Sequence, residues 1–161
     1  MIDTFGSHLI EKYLRESRFR YLVDEDGKFI LSFRGDEQTP AYLVQLTAEG
    51  PQEQLFCIRV SLPETLPHTV RDRVEAFTGR WNRQKWWPKA YIFDDPDPDG
   101  GGAIGVIGES CYPLQDGIQW DLFVTLADTT IATGQQMFTD LIDELTTPAI
   151  DELETWFREH R

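Results

Sequence analysis

Apolar and polar residues alternate along this chain with two different periods, one typical of helices and one typical of strands. Between residues 2 and 17, apolar residues recur every three or four positions, which predicts an amphipathic helix. Residues 19–23, 29–33, 41–46 and 54–60 are short runs rich in aromatic and β-branched residues. Turn-forming residues, Gly27 in the first link and Gly50 and Pro51 in the last, separate these runs. The first half of the chain therefore predicts a helix followed by a four-stranded antiparallel meander.

The second half of the chain returns to the helical period. Residues 68–85 predict a second helix, and Pro88 favours a helix boundary just before it. Residues 90–93 and 103–112 predict two more strands. Apolar spacing from 120 to 145 predicts one bent helix or a pair, because Gly134 weakens helix propensity, and residues 149–157 predict a short final helix. The order α-β-β-β-β-α-β-β-α indicates an α+β fold, with an antiparallel sheet flanked by helices.

The second helix and the strand after it carry a family resemblance. Residues 74–83 read VEAFTGRWNR and residues 87–92 read WPKAYI. Together they resemble the YbjN domain family, whose members are described as bacterial sensory transduction regulators. The resemblance implies a fold similar to type III secretion chaperones, which often dimerise and present a sheet or helix surface to a polypeptide. We expect residues 1–145 to form the YbjN-like domain, and residues 146–161 to form a short helical tail that packs on it or extends it.

The net charge of −13 is concentrated in one part of the chain. Residues 94–161 contain 15 acidic and 2 basic side chains, whereas residues 1–93 are balanced. This excess argues against nucleic acid or an anionic membrane as the main partner, since both require a basic surface. No apolar run is long enough to span a membrane and no signal peptide is visible, so we expect a cytoplasmic protein.

The two cysteines, Cys57 and Cys111, are far apart in the sequence. Reduced, half-buried thiols are the expectation for a cytoplasmic chain. A disulfide between the two is possible, but nothing in their spacing predicts one.

Residues 66–90 form a local basic and aromatic segment, with six basic and two acidic side chains. Exposed Trp and Arg are enriched in interface hot spots, so this segment predicts a surface for a protein partner. The alternative is a core helix whose charges are merely solvated, and Trp81, on the apolar stripe, belongs to the core in either case. The candidate binding residues are Arg73, Arg80, Arg83, Trp86, Trp87 and Lys89.

The sequence contains no recognisable catalytic or strong metal-binding pattern, and we expect no cofactor. The three histidines lack the spacing of a zinc site, and no nucleotide-binding fingerprint occurs. Asp95, Asp97 and Asp99 reproduce the start of a calcium loop, but its twelfth position is Val106 rather than Glu. We interpret residues 94–99 as a solvated loop, with weak cation binding as the alternative.

These observations predict a non-enzymatic domain that binds a protein or polypeptide and acts in sensory or stress signalling. One alternative is a chaperone-like module that holds another polypeptide, and another is a cation-binding or enzymatic role for the loop at residues 94–99. The basic helix and the acidic C-terminal part would also support a salt-sensitive homodimer.

Overall fold

The apolar stripe near the N-terminus forms helix α1 (Ser7–Glu16), which buries Leu9, Ile10, Tyr13 and Leu14. The computed structural model describes residues 1–95, 102–147 and 150–160 of the chain. The other helices are α2 (Arg71–Gln84), entered through a 3-10 turn (His68–Val70), then α3 (Trp120–Thr146) and α4 (Ile150–Glu159). Within the described part of the chain, no helix is both long and apolar enough to cross a membrane.

Seven strands in the described part of the chain form one antiparallel sheet. They are β1 (Leu22–Val23), β2 (Phe29–Phe33), β3 (Tyr42–Glu49), β4 (Leu55–Ser61), β5 (Leu66–Pro67), β6 (Lys89–Asp95) and β7 (Ala103–Pro113). β1 to β4 pair in chain order, which confirms the predicted meander. β7 then pairs with β4 on one side and with β6 on the other, and the two-residue β5 extends the line of β4.

The two faces of the sheet have different surroundings. Side chains such as Val44, Ile58 and Val60 point to one face and join the buried residues of α1, α2 and α3 in a single core. We call the opposite side the open face, because none of these three helices packs on it. Its residues on the paired strands include Ile30, Leu43, Gln45, Thr47, Glu49, Cys57, Arg59, Ser61, Lys89, Tyr91, Phe93, Ile107, Glu109 and Cys111.

The fold class predicted from the sequence, an α+β domain with an antiparallel sheet flanked by helices, is confirmed. Residues 120–146 form one continuous helix rather than a pair. β5 was not predicted, because Pro63 and Pro67 made residues 62–67 look like a break between elements.

The expectation of two reduced cysteines is wrong, because Cys57 and Cys111 form a disulfide. The two residues are 54 positions apart in the sequence but lie directly opposite each other on β4 and β7, with a Cα–Cα distance of 4.2 Å. Antiparallel partners whose backbone groups do not hydrogen-bond to each other approach to about 4.5 Å, which brings their side chains close together. The register of β4 against β7, which the sequence does not reveal, therefore produces the pairing.

Candidate binding surface

The residues that carry the family resemblance join α2 to the start of β6. Trp81 is buried, as predicted, and its indole Nε1 donates a hydrogen bond of 3.0 Å to the carbonyl of Pro88. The Asn82 amide donates to the carbonyl of Ala90 at 2.9 Å and accepts from the Ala90 N–H at 2.8 Å. This side chain therefore occupies backbone groups at the edge of the sheet that would otherwise be unpaired. The motif has a structural role.

Two of the candidate binding residues hold the C-terminal end of α3. Arg73 donates to the carbonyls of Leu145 at 3.2 Å and Thr147 at 2.9 Å, and also to that of Glu144. Arg80 forms an ion pair with the Glu144 carboxylate. A cation at the C-terminus of a helix satisfies carbonyls that have no intrahelical partner and opposes the helix dipole. Arg73 and Arg80 thus have a structural role in addition to any role in binding.

Three other candidate residues lie in and after the last turn of α2 and remain at the surface. Arg83 is exposed, and within the described residues it has no ion-pair partner. Trp86 is 91% exposed and Trp87 is 38% exposed, with their ring centroids 5.9 Å apart. An exposed pair of indoles beside a cation has the composition of an interface hot spot.

Lys89, the last candidate, lies on the open face and is removed from α2. Its ammonium is 3.0 Å from Glu109 Oε1 and 5.4 Å from the ring centre of Tyr91. The six predicted residues are therefore divided among three places: the end of α3, the turn after α2, and the open face.

A shallow trough crosses the open face. A cavity of about 170 Å³ is lined there by Ile30, Leu43 and Ile107 together with Gln45, Arg59 and Ser61. A second cavity of about 300 Å³ shares Ser61 and Ile107 with the first and extends to Phe93 and the chain between β4 and β5. Phe93 itself is 40% exposed. The two cavities form one concave, mostly apolar strip across the central strands.

A row of charged residues borders this strip. Arg59 donates from Nη1 to Glu49 Oε2 and from Nε to Glu109 Oε2, both at 2.6 Å. Tyr91 donates its hydroxyl to the same Glu109 oxygen at 3.3 Å. Together with Lys89, the row contains two cations and two carboxylates, so the charges within it are balanced.

The pKa values of this row favour the charged forms. Hydrogen bonding from Arg59 holds the pKa of Glu49 below its usual value. Burial acts to raise the pKa of Glu109, but hydrogen bonds from Lys89 and Arg59 outweigh it and the net shift is downward. Burial opposes the charge of Arg59, yet its bonds to Glu49 and Glu109 raise its pKa overall. All three groups are therefore charged at neutral pH, as in a fixed ion-pair network.

Most of the predicted acidic loop lies outside the described residues. Asp97 and Asp99 lie outside the described residues, while Asp95 ends β6 and the neighbouring Asp94 forms an ion pair with Arg71. Among the described residues, Glu49, Cys57 and Cys111 offer potential ligand atoms within 4.8 Å of one another. Both sulfurs belong to the disulfide, so neither is available as a thiolate ligand.

Reasoning from the sequence did not find the open face. Its one signal was Arg59, a charged residue inside the apolar run of residues 54–60. An arginine in a central strand requires partners, but only the register shows that Glu49 and Glu109 supply them.

Comparison with known proteins adds the family. A family model described as "Putative bacterial sensory transduction regulator" matches residues 7–160. The chain belongs to the YbjN family. The match therefore includes most of residues 146–161, which we predict to be a helical tail that packs on the domain or extends it. No curated protein matches this sequence.

A solved structure has the same fold. The crystal structure of YbjN from E. coli, described as a putative transcription regulator, superposes with a TM-score of 0.58 at 9% sequence identity. The match covers 88% of this chain and 92% of that one. The YbjN fold thus extends over nearly the whole molecule, and the family is described as a sensory transduction regulator.

Proposed function

We propose that this chain is a non-enzymatic regulatory domain that binds a partner protein on the open face of its sheet. The observation that carries the proposal is the trough lined by Ile30, Leu43 and Ile107, where apolar side chains of central strands are not covered by α1, α2 or α3. Sheets normally bury each apolar face against a second layer, and here α1 to α3 cover one face only. A partner would supply that layer.

The charged groups of the surface indicate the chemistry of the partner. The charged row beside it is internally balanced and offers no net attraction. The last turn of α2 and the residues after it, by contrast, present Arg83, Lys85 and the exposed Trp86, which we call the cationic turn. We infer a protein segment with an apolar stripe followed by acidic residues, which would satisfy the trough and the cationic turn together.

A regulator of this kind acts through protein contacts rather than on DNA. The net charge of −13 opposes a long polyanion. A cytoplasmic location fits the signalling role described for the family. The likeness to type III secretion chaperones, and with it a client-holding role, stays a prediction. So do the homodimer, which light scattering at low and high salt tests, and a cation-binding role for residues 94–99.

The test compares partner affinity for two matched leucine variants. A photo-crosslinking amino acid at position 43 would identify the partner in cells, and the purified partner would then be titrated in vitro. Leu43→Asp places a charge in the trough, so we expect affinity to fall at least about 10-fold. Leu122→Asp, on an exposed position of α3, should leave affinity unchanged. Equal affinities for both variants would remove the open face as the binding surface.

A second pair of variants tests the cationic turn. Arg83→Glu should weaken the same partner by about 3- to 10-fold, with a larger effect at low salt. Arg18→Glu, at a surface position far along the chain from α2, is the matched charge reversal. If both reversals change affinity equally, the effect reflects net charge alone and the acidic segment is not part of the partner.

A further inference from the structure

The disulfide between Cys57 and Cys111 is reached from solvent on one side only. Cys111 is exposed, whereas Cys57 is 2% exposed. Both residues point to the open face, where α1, α2 and α3 do not pack. A small nucleophile can therefore approach Cys111 in the folded protein, while Cys57 is shielded by its neighbours.

This disulfide is not required to replace a missing core. Small secreted domains depend on disulfides because they cannot bury enough apolar surface. Here 161 residues form a core shared by the sheet and three helices. A disulfide that solvent can reach and that the fold does not need for stability is a candidate for reversible reduction and oxidation.

We propose that Cys57 and Cys111 form a thiol–disulfide exchange site, at which a dithiol reductant attacks the sulfur of Cys111. The incoming thiolate forms a bond to Cys111 Sγ, and the bond between Cys111 and Cys57 breaks. The electron pair leaves on Cys57 Sγ, which takes a proton from water. The second thiolate of the reductant then displaces Cys111 as a thiol. The reductant ends as a disulfide and this chain gains two thiols, so two electrons and two protons are transferred.

Glu49 controls the rate of this exchange. One of its carboxylate oxygens and the two sulfurs lie within 4.8 Å of one another. Arg59, the cation paired with Glu49, also bonds to Glu109. Negative charge beside a departing thiolate disfavours its departure, because both groups are anionic in the transition state. The Glu49 carboxylate therefore slows the reduction of the disulfide by thiols.

The first experiment uses the wild-type protein. Reduction by dithiothreitol at neutral pH is followed by alkylation and mass spectrometry, for the folded chain and for the chain in concentrated urea. An exposed sulfur should react in the folded chain within about 10-fold of the rate in the unfolded chain. A slower reaction than this would show that reduction requires unfolding, and would overturn the proposal.

Single-cysteine variants identify the attacked sulfur. Cys111 in Cys57→Ser should react with iodoacetamide at least about 10-fold faster than Cys57 in Cys111→Ser. Circular dichroism checks that both variants are folded, and if either is not, the wild-type experiment decides. Equal reactivity of two folded variants would contradict attack at Cys111.

Substitution of Glu49 tests its control of the rate. Glu49→Gln should accelerate reduction of the folded protein by about 3- to 10-fold, since it removes a unit charge near the leaving sulfur. Glu16→Gln, at the end of α1 and therefore on the covered side of the sheet, is the control and should not change the rate. A purely structural disulfide beside a passive carboxylate would give the wild-type rate in both variants, and that result would overturn the role of Glu49.

Discussion

Gly134, near the middle of α3, packs directly against the side chain of Val60 in β4. A Cβ atom at position 134 would lie 2.6 Å from Val60 Cγ2, closer than real Cβ contacts allow. Gly134 and Val60 are both buried. The glycine therefore sets how closely the longest helix approaches the centre of the sheet.

We predict that Gly134→Ala destabilises the protein. Alanine favours the helix by about 1 kcal/mol, but overpacking a buried contact costs about 1–3 kcal/mol, so the net change should be unfavourable. Gly79→Ala in α2 is the control, because the nearest atom to its Cβ would be Arg83 Nη1 at 3.6 Å. Urea denaturation should show opposite signs for the two variants. A stabilised Gly134→Ala would mean that Val60 can move aside freely.

Removing Arg73 should loosen the end of α3. Arg73→Ala leaves the carbonyls of Leu145 and Thr147 without this donor, which we expect to lower the free energy of unfolding by about 1–2 kcal/mol. Hydrogen exchange should become faster in the last turn of α3. Arg83→Ala, which removes an exposed arginine of the same helix, should change stability by less than about 0.5 kcal/mol. Equal losses of stability in Arg73→Ala and Arg83→Ala would show that Arg73 does not cap the end of α3.

The network around Arg59 makes stability depend on acidity. The pKa values of Glu49 and Glu109 lie below their usual 4.5 in the folded protein, so the unfolded chain takes up protons first as pH falls. Stability from these groups is present above about pH 4.5 and is lost as pH falls through the lowered folded values. Urea denaturation between pH 7 and pH 3 should show this loss.

Arg59→Met tests the cause of that dependence. The free energy of unfolding of this variant should fall by about 2 kcal/mol at pH 7. The reason is that Glu109, whose side chain is 15% exposed, keeps Lys89 as its one cationic partner among the described residues. Its loss of stability on acidification should be smaller than that of the wild type, because Glu49 and Glu109 lose the Arg59 hydrogen bonds that help to lower their pKa values. Arg15→Met removes an exposed ion pair with Glu11 and should keep the wild-type profile. If the free energy of unfolding of Arg59→Met fell with pH in parallel with that of the wild type, the network around Arg59 would not be the cause of the acid dependence.

Tyr13 makes the stability of the protein depend on pH in the alkaline range as well. Its hydroxyl donates to Asp128 Oδ1 at 2.6 Å, and burial, reinforced by Asp128, raises its pKa well above 10. The unfolded chain ionises first as pH rises, so stability present below pH 10 is lost above it. Tyr13→Phe should lower the free energy of unfolding by about 1 kcal/mol at pH 8, and its stability should fall less than that of the wild type as pH rises further. Tyr21→Phe should retain it, and denaturation at pH 8 and pH 10.5 distinguishes the two variants.

Residues 29–33 are an example of an element that the sequence alone predicts. Their apolar and aromatic run predicted a strand, and β2 has the same bounds. Residues 66–67 show the opposite case, since Pro67 ends a strand that only its pairing with β7 creates. The candidate binding residues behave similarly. The basic and aromatic composition of residues 66–90 can be read from the sequence, whereas the bonds of Arg73 to the end of α3 join it to residues 71 to 74 positions away.

The sequence by itself determined the helices, most strands and the antiparallel class, because these follow from the local period of apolar residues and from turn chemistry. It also determined the family, through the segment that joins α2 to β6. Only the tertiary structure decided that Cys57 faces Cys111, that Arg59 lies between Glu49 and Glu109, and that Gly134 meets Val60. The physical reason is register: pairing distant strands and docking a helix on them selects contacts that no local pattern specifies.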